Sequence, residues 1–297
     1  MRTRIVIKLV TAIIGGWSVI AQPSVATAQD IVPNIAYGND SDRQKLDLYR
    51  PDSAPPHPVL IFIHGGGFMS GNKRAGNARH IVRAGLDRGY AVASLNYRRS
   101  GEALFPAAVE DVLAAIGFLR MHASAYGLDS DRLATWGASA GGNLSAMAAT
   151  LGSEAEGTHV QAAVNWFGPI VFDEMDAQFG ALGIEPALGP TNAATSPESR
   201  YIGIPVGDPA AAELVRRASP QSYISPDDPP MLVQHGTEDR NIPIQQSRNF
   251  AGALAAVIGQ EKVEYIPLAG AGHGGGDFLS EANMARIFAF LDKHLGR

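Results

Sequence analysis

The sequence predicts an α/β protein: a mostly parallel central sheet with helices on both faces and a lid-like insertion. Three observations carry that prediction. Short apolar runs of strand length alternate along the chain with stretches of helical period. Several of the runs are apolar throughout, as strands covered on both faces must be. The alternation then breaks once, over residues 170–218, where no period is sustained and Gly, Pro, Ala and Asn are frequent. A connection of that length in a compact domain is a functional lid or an excursion with small helices of its own.

In chain order, residues 1–28 read as a removable leader. Arg2, Arg4 and Lys8 form a positive head, residues 9–20 are a short apolar stretch, and Ala26-Thr27-Ala28 has the small-x-small pattern of a cleavage site. The apolar stretch falls short of the ~20 residues needed to span a bilayer. The expectation is therefore a signal peptide cleaved after Ala28, a mature chain from Gln29 through residue 297, no stable membrane anchoring, and a secreted or periplasmic protein. Candidate strands follow at 45–49, 59–63, 91–96, 133–136, 160–167, 231–234 and 263–266. Between them the spacing predicts helices at 78–88, 141–150, 245–258 and 282–294. A further helix starts at or just after Pro106, where Val109, Val112, Leu113, Ile116 and Leu119 make one apolar stripe. Repeated strand–helix–strand units imply one domain with a parallel sheet.

Composition narrows the chemistry. With 297 residues, 45% apolar and 18% charged, the chain is neither disordered, collagen-like nor coiled-coil. Lys plus Arg number 24 against 29 Asp plus Glu, a net charge of −5, and no basic run is present to engage a phosphate backbone. No nucleic-acid partner is expected. The absence of cysteine excludes disulfides, zinc–thiolate sites, iron–sulfur clusters and a thiol nucleophile. Covalent chemistry must come from Ser, Thr, Lys or a carboxylate. Oligomeric state is left open.

Four loops at predicted strand ends carry the candidate site. Gly137-Ala138-Ser139-Ala140-Gly141-Gly142 joins the strand at 133–136 to a helix, the context of a nucleophile elbow. With 33 glycines in the chain the pattern alone is weak, and its flanks decide. His64-Gly65-Gly66-Gly67-Phe68 follows the strand at 59–63. Its glycines let two N–H groups turn toward one point, so Gly66, Gly67 and the residue after the serine, Ala140, are the candidate oxyanion hole. Neither a Gly-Lys-Ser/Thr nor a Gly-x-Gly-x-x-Gly form is present, which argues against a phosphate cradle. His64 reads as a brace for this loop, and Gly66→Ala is expected to act on the transition state more than on the fold. Of eight histidines, His273 sits in the Gly-rich run Gly270–Gly276 after the last strand, where sites collect in parallel sheets. The loop His235-Gly236-Thr237-Glu238-Asp239 supplies the acid: Asp239, with Glu238 as fallback. The order Ser139, Asp239, His273 is that of one hydrolase fold.

On these motifs the chain resembles α/β-hydrolases of the esterase type. It is close to the bacterial carboxylesterase and acetyl-esterase group that also resembles hormone-sensitive lipase. Further residues that carry the likeness are Leu46-Asp47-Leu48-Tyr49-x-Pro51, Asn96-Tyr97-Arg98 and Phe105-Pro106-Ala107-Ala108-x-Glu110-Asp111. Ala138 stands where hormone-sensitive-lipase-like enzymes usually carry Asp. The acid loop is more like that of secreted esterases that deacylate plant polysaccharides, and of kynurenine formamidases. The resemblance implies an α/β-hydrolase fold and a serine carboxylic-ester hydrolase. Ser139 would attack the ester, His273 shuttle the proton, Asp239 orient the imidazole, and water hydrolyse the acyl-enzyme. It implies no metal, nucleotide or flavin, and a small-molecule or carbohydrate ester, acetyl or short-acyl, as substrate. Phe68, Trp166, Phe167, Phe172 and the insertion are expected to line the pocket. The alternatives are an amide-cleaving hydrolase of formamidase or peptidase type, and an inactive binding module on the same fold; a lipase is disfavoured because the insertion is rich in Gly, Pro, Asn and charge.

Overall fold

Eight segments form strands in the computed structural model, which describes residues 30–297: β1 (Asp30–Ala36), β2 (Lys45–Arg50), β3 (His57–Ile63), β4 (Ala91–Leu95), β5 (Leu128–Ala138), β6 (Ala162–Trp166), β7 (Met231–Gly236) and β8 (Val263–Leu268). They make one sheet in the order β1-β2-β4-β3-β5-β6-β7-β8. β2 runs antiparallel to both β1 and β4, and every pairing from β4 through to β8 is parallel. The expected leader at residues 1–28 lies outside the described residues.

The helices are α1 (Ala78–Leu86), α2 (Ala107–Met121), α3 (Ala123–Tyr126), α4 (Ala140–Leu151), α5 (Met175–Leu182), α6 (Pro197–Ile202), α7 (Ala212–Arg217), α8 (Gln245–Ile258) and α9 (Glu281–His294). Alternation along each strand sends side chains to opposite faces of the sheet. In β3, Val59, Ile61 and Ile63 enter the core beneath α2, α4 and α8. Leu60 and Phe62 enter the second core, beneath α1 and α9. β3 is buried along its whole length, which explains why its sequence shows an unbroken apolar run rather than alternation.

The predicted strands and long helices are present, with ends that shift by a few residues. β5 is the largest change: it begins at Leu128 rather than 133, because Asp129, Ser130, Asp131 and Arg132 extend it through half-buried and exposed positions that carry no apolar signal. β1 was not foreseen. It is an edge strand, mostly exposed, and contains Pro33 and a register shift between Val32 and Ile35; proline is tolerated there because one side of an edge strand needs no ladder partner. At the other edge, β8 pairs only with β7. Residues 170–218 form an excursion with short helices of their own, α5 to α7. α6 is built locally: Pro197 occupies its first turn, and the Ser196 Oγ accepts a hydrogen bond from the Ser199 N–H.

Candidate active site

The β5–α4 turn forces Ser139 into φ 58°, ψ −125°, a backbone region that non-glycine residues rarely occupy. The neighbours two positions away have no room for a side chain. A Cβ on Gly137 would lie 1.8 Å from the Gly141 carbonyl oxygen, and one on Gly141 would lie 2.1 Å from that of Ile63. The turn is held by the Ser139 N–H donating to the Trp166 carbonyl at 2.9 Å, and it leaves the serine at the mouth of α4.

His273 and Asp239 arrive on the loops that leave β8 and β7. The Ser139 Oγ lies 2.9 Å from His273 Nε2, and His273 Nδ1 lies 2.7 Å from Asp239 Oδ2. A carboxylate can only accept, so the proton of the neutral ring sits on Nδ1 and Nε2 is free to accept from the serine hydroxyl. Asp239 is buried, whereas the fallback Glu238 is exposed. Asp239 Oδ1 accepts the N–H groups of Asn241 and Ile242 at 2.7 and 3.0 Å. Burial opposes ionisation of Asp239, but hydrogen bonds from His235 and His273 outweigh it and hold the carboxyl well below the usual range.

In the sequence His235 is only part of a loop pattern, whereas the structure shows it to be a second histidine on the acid. It is fully buried, with Nε2 3.0 Å from the Ile242 carbonyl and 3.2 Å from Asp239 Oδ2, and Nδ1 2.7 Å from Ser247 Oγ. The carbonyl accepts, so Nε2 carries the proton and Nδ1 accepts from the serine. The i, i+4 spacing of His235 and Asp239 across a turn was the signal that could have found it.

The glycine loop turns where Gly66 adopts φ 120° and its carbonyl accepts from the N–H groups of Met69 and Ser70. Among the described residues, the N–H groups of Gly66, Gly67 and Ala140 make no hydrogen bond, and all three residues line one cavity with Ser139 and His273. That cavity measures about 450 Å³, at the small end of ligand sites. His64 is stacked on Tyr97 with ring centres 4.4 Å apart, its Nδ1–H donates to the Gly65 carbonyl at 2.7 Å, and its own carbonyl accepts from the Tyr97 hydroxyl at 2.9 Å. Burial lowers its pKa to about 4, so it stays neutral and braces the loop.

The aromatic expectations divide. Phe167 lines the cavity and packs on His273 at 4.5 Å between ring centres. Phe68 also borders it, but stacks on Tyr201 at 3.8 Å and is only 1% exposed. Trp166 and Phe172 do not line it. Trp166 points into the core beneath α1 and α9, where its indole N–H donates to Gln234 at 2.7 Å; Phe172 is in the opposite core near Phe68 and Tyr201. The wall is completed instead by Leu188, Pro197, Glu198, Asn241 and Ile242. Among the described residues, no helix is long and apolar enough to cross a membrane, and no group of three His, Asp or Glu could hold a metal ion.

Comparison with known proteins agrees with this architecture. Probable carboxylic ester hydrolase LipM of Mycobacterium tuberculosis is 32% identical over 88% of this chain, and Esterase LipQ of the same organism 34% over 81%. The chain spans 60% and 56% of their lengths. A solved structure titled as a truncated carbohydrate esterase from gut microbiota superposes with a TM-score of 0.80 at 27% identity, covering 93% of this chain and 99% of that one. A bifunctional GH43-CE protein of Bacteroides eggerthii gives 0.79 at 31% identity, over 90% of this chain and 35% of its own. The BD-FAE family profile matches residues 46–254, from β2 through most of α8, and with its α/β-hydrolase fold the chain belongs to the BD-FAE family.

Proposed function

We propose that the protein is a serine carboxylic-ester hydrolase. The observation that carries this reading is the continuous hydrogen-bonded chain Ser139–His273–Asp239 at the wall of a cavity also lined by three residues with unengaged N–H groups. In the reaction, His273 Nε2 takes the serine proton as Oγ attacks the ester carbonyl. Asp239 stabilises the imidazolium that forms, and the N–H groups of Gly66, Gly67 and Ala140 receive the charge that develops on the carbonyl oxygen. His273 then gives the proton to the leaving alcohol, and water releases the acyl group by the same route in reverse. The proposed ester carries a short acyl chain such as acetyl, which a cavity of about 450 Å³ accommodates. Two solved relatives have carbohydrate esterase or GH43-CE in their titles, which supports an ester of a carbohydrate or other small alcohol as substrate. The leader pattern at residues 1–28 supports export to the periplasm or beyond.

Purified protein should hydrolyse p-nitrophenyl acetate and be labelled by a fluorophosphonate. Ser139→Ala and His273→Ala should each lower kcat by ~10⁴- to 10⁶-fold, with the double variant little worse, because the residues act as a unit. Asp239→Asn should lose less, and Glu238→Gln almost nothing. Absence of labelling and of ester turnover in the wild type would overturn the reading.

A further inference from the structure

The excursion between β6 and β7 contributes one ionisable residue, Glu198, to the lining of the cavity, and nothing in the triad chemistry uses it. α6 lies against the glycine loop: a Cβ added to Gly67 would come 3.1 Å from that of Pro197. The next residue, Glu198, lines the same cavity as Ser139 and His273 while being only 5% exposed. Other buried carboxylates of this protein are matched. Asp239 takes four donors, Asp111 takes Arg98 and Gln44, and Asp47 takes Lys73 and Arg74. Among the described residues Glu198 has no cation partner, and its carboxyl makes no hydrogen bond to another residue. A buried polar group left without a partner from another residue is costly, and this residue lines the space a substrate fills.

We propose that Glu198 is a specificity-determining residue: its carboxyl group hydrogen-bonds a hydroxyl carried by the ester while Ser139 attacks the carbonyl. A hydroxyl both donates and accepts, and it suits this group better than a cation does. Burial raises the carboxyl to a pKa of about 7, with Asp176 adding to the rise, so near neutrality it exists in both protonated and ionised forms. The apolar surroundings make the contact worth more than it would be in water. The inference rests on the ester-hydrolase reading and names the feature that this site selects.

The hydroxyl can belong to the alcohol or to the acyl part, and two matched pairs separate these: glycerol monoacetate against ethyl acetate, and methyl 4-hydroxycinnamate against methyl cinnamate. kcat/KM is measured for wild type, Glu198→Ala and the isosteric Glu198→Gln, with fluorophosphonate titration counting active Ser139 in each preparation. The wild type is expected to favour the hydroxylated member of one pair by tenfold or more. Glu198→Ala should cut that ratio by ~10- to 100-fold, the size expected for losing one hydrogen bond to a charged or strongly polarised group, and Glu198→Gln should retain part of it. The pair that responds identifies which part of the ester carries the hydroxyl. No preference in either pair, or an equal fall on both members in Glu198→Ala, overturns the proposal. Failure of the ester-hydrolase reading has a different signature, no labelling and no turnover of any of the four esters, and it removes this proposal as well.

Discussion

Asp239 and Glu238 are adjacent carboxylates on one turn, and only burial separates their fates: one is enclosed by two histidines and two backbone N–H groups, the other faces water. The sequence offers both carboxylates, and the i, i+4 spacing of His235 and Asp239 is the one trace in it of the second histidine on the acid. Gly66 reverses an expectation. Its φ of 120° excludes an ordinary side chain, and a Cβ there would lie 2.4 Å from the Ser70 carbonyl oxygen, a backbone atom with little freedom to move. Gly66→Ala should therefore lower the thermal midpoint together with activity, rather than act on the transition state alone. Gly67→Ala meets the side chains of Pro197 at 3.1 Å and Met69 at 3.7 Å, not backbone, and keeps a φ of 58° that costs an alanine ~1 kcal/mol. Thermal scans and kcat on the same preparations will separate the two: Gly66→Ala should be the less stable by several degrees.

The elements that a reader of the sequence can recover are those whose burial leaves a periodic trace. β3, β4, β6 and β7 are enclosed on both faces and read as apolar runs; α2 and α8 keep a stripe. The glycine-bearing loops after β3, β5, β7 and β8 were legible because a sharp turn or close approach leaves glycine as the residue that fits. β1 was hidden by its exposure and its proline. Glu198 was hidden because α6 is short and a single carboxyl carries no pattern. Trp166 and Phe172 were misplaced because closeness in sequence to a site says nothing about which face of the sheet a ring joins. The excursion's local wiring can be tested directly. Ser196 is buried, caps α6 by accepting from the Ser199 N–H, and donates to the Thr191 carbonyl at 2.7 Å. Ser196→Ala removes the cap and leaves that carbonyl with Ser199 Oγ at 3.3 Å as its remaining partner. The expected loss is about 1–2 kcal/mol in denaturant unfolding.

For the whole molecule, stability against pH sums titrations of opposite sign. Glu198 is raised from 4.5 to about 7, so the folded state holds a proton the unfolded chain releases, and its contribution falls as pH rises through that window. His64 is lowered from 6.5 to about 4, so the unfolded chain binds the proton first, and its contribution is lost as pH falls from 6.5 toward 4. Asp239, held below its ordinary 3.8, adds stability above that pH which disappears in stronger acid. Glu198→Gln removes one of the opposed slopes. Relative to wild type it should gain stability steadily between pH 4.5 and 7, by on the order of 3 kcal/mol at most, read from thermal midpoints across the range; a difference independent of pH would contradict the assignment. The edge position of β8 has a further consequence. His273, the proposed base, hangs from a strand whose ladder has a single neighbour, while Ser139, the proposed nucleophile, follows β5 in the sheet's interior. Outer strands fray before central ones. Warming should thus detach His273 from Ser139 while the centre of the sheet is still intact, so that reversible loss of turnover precedes the loss of circular dichroism, and the amides of β8 exchange with deuterium well ahead of those of β3 and β5.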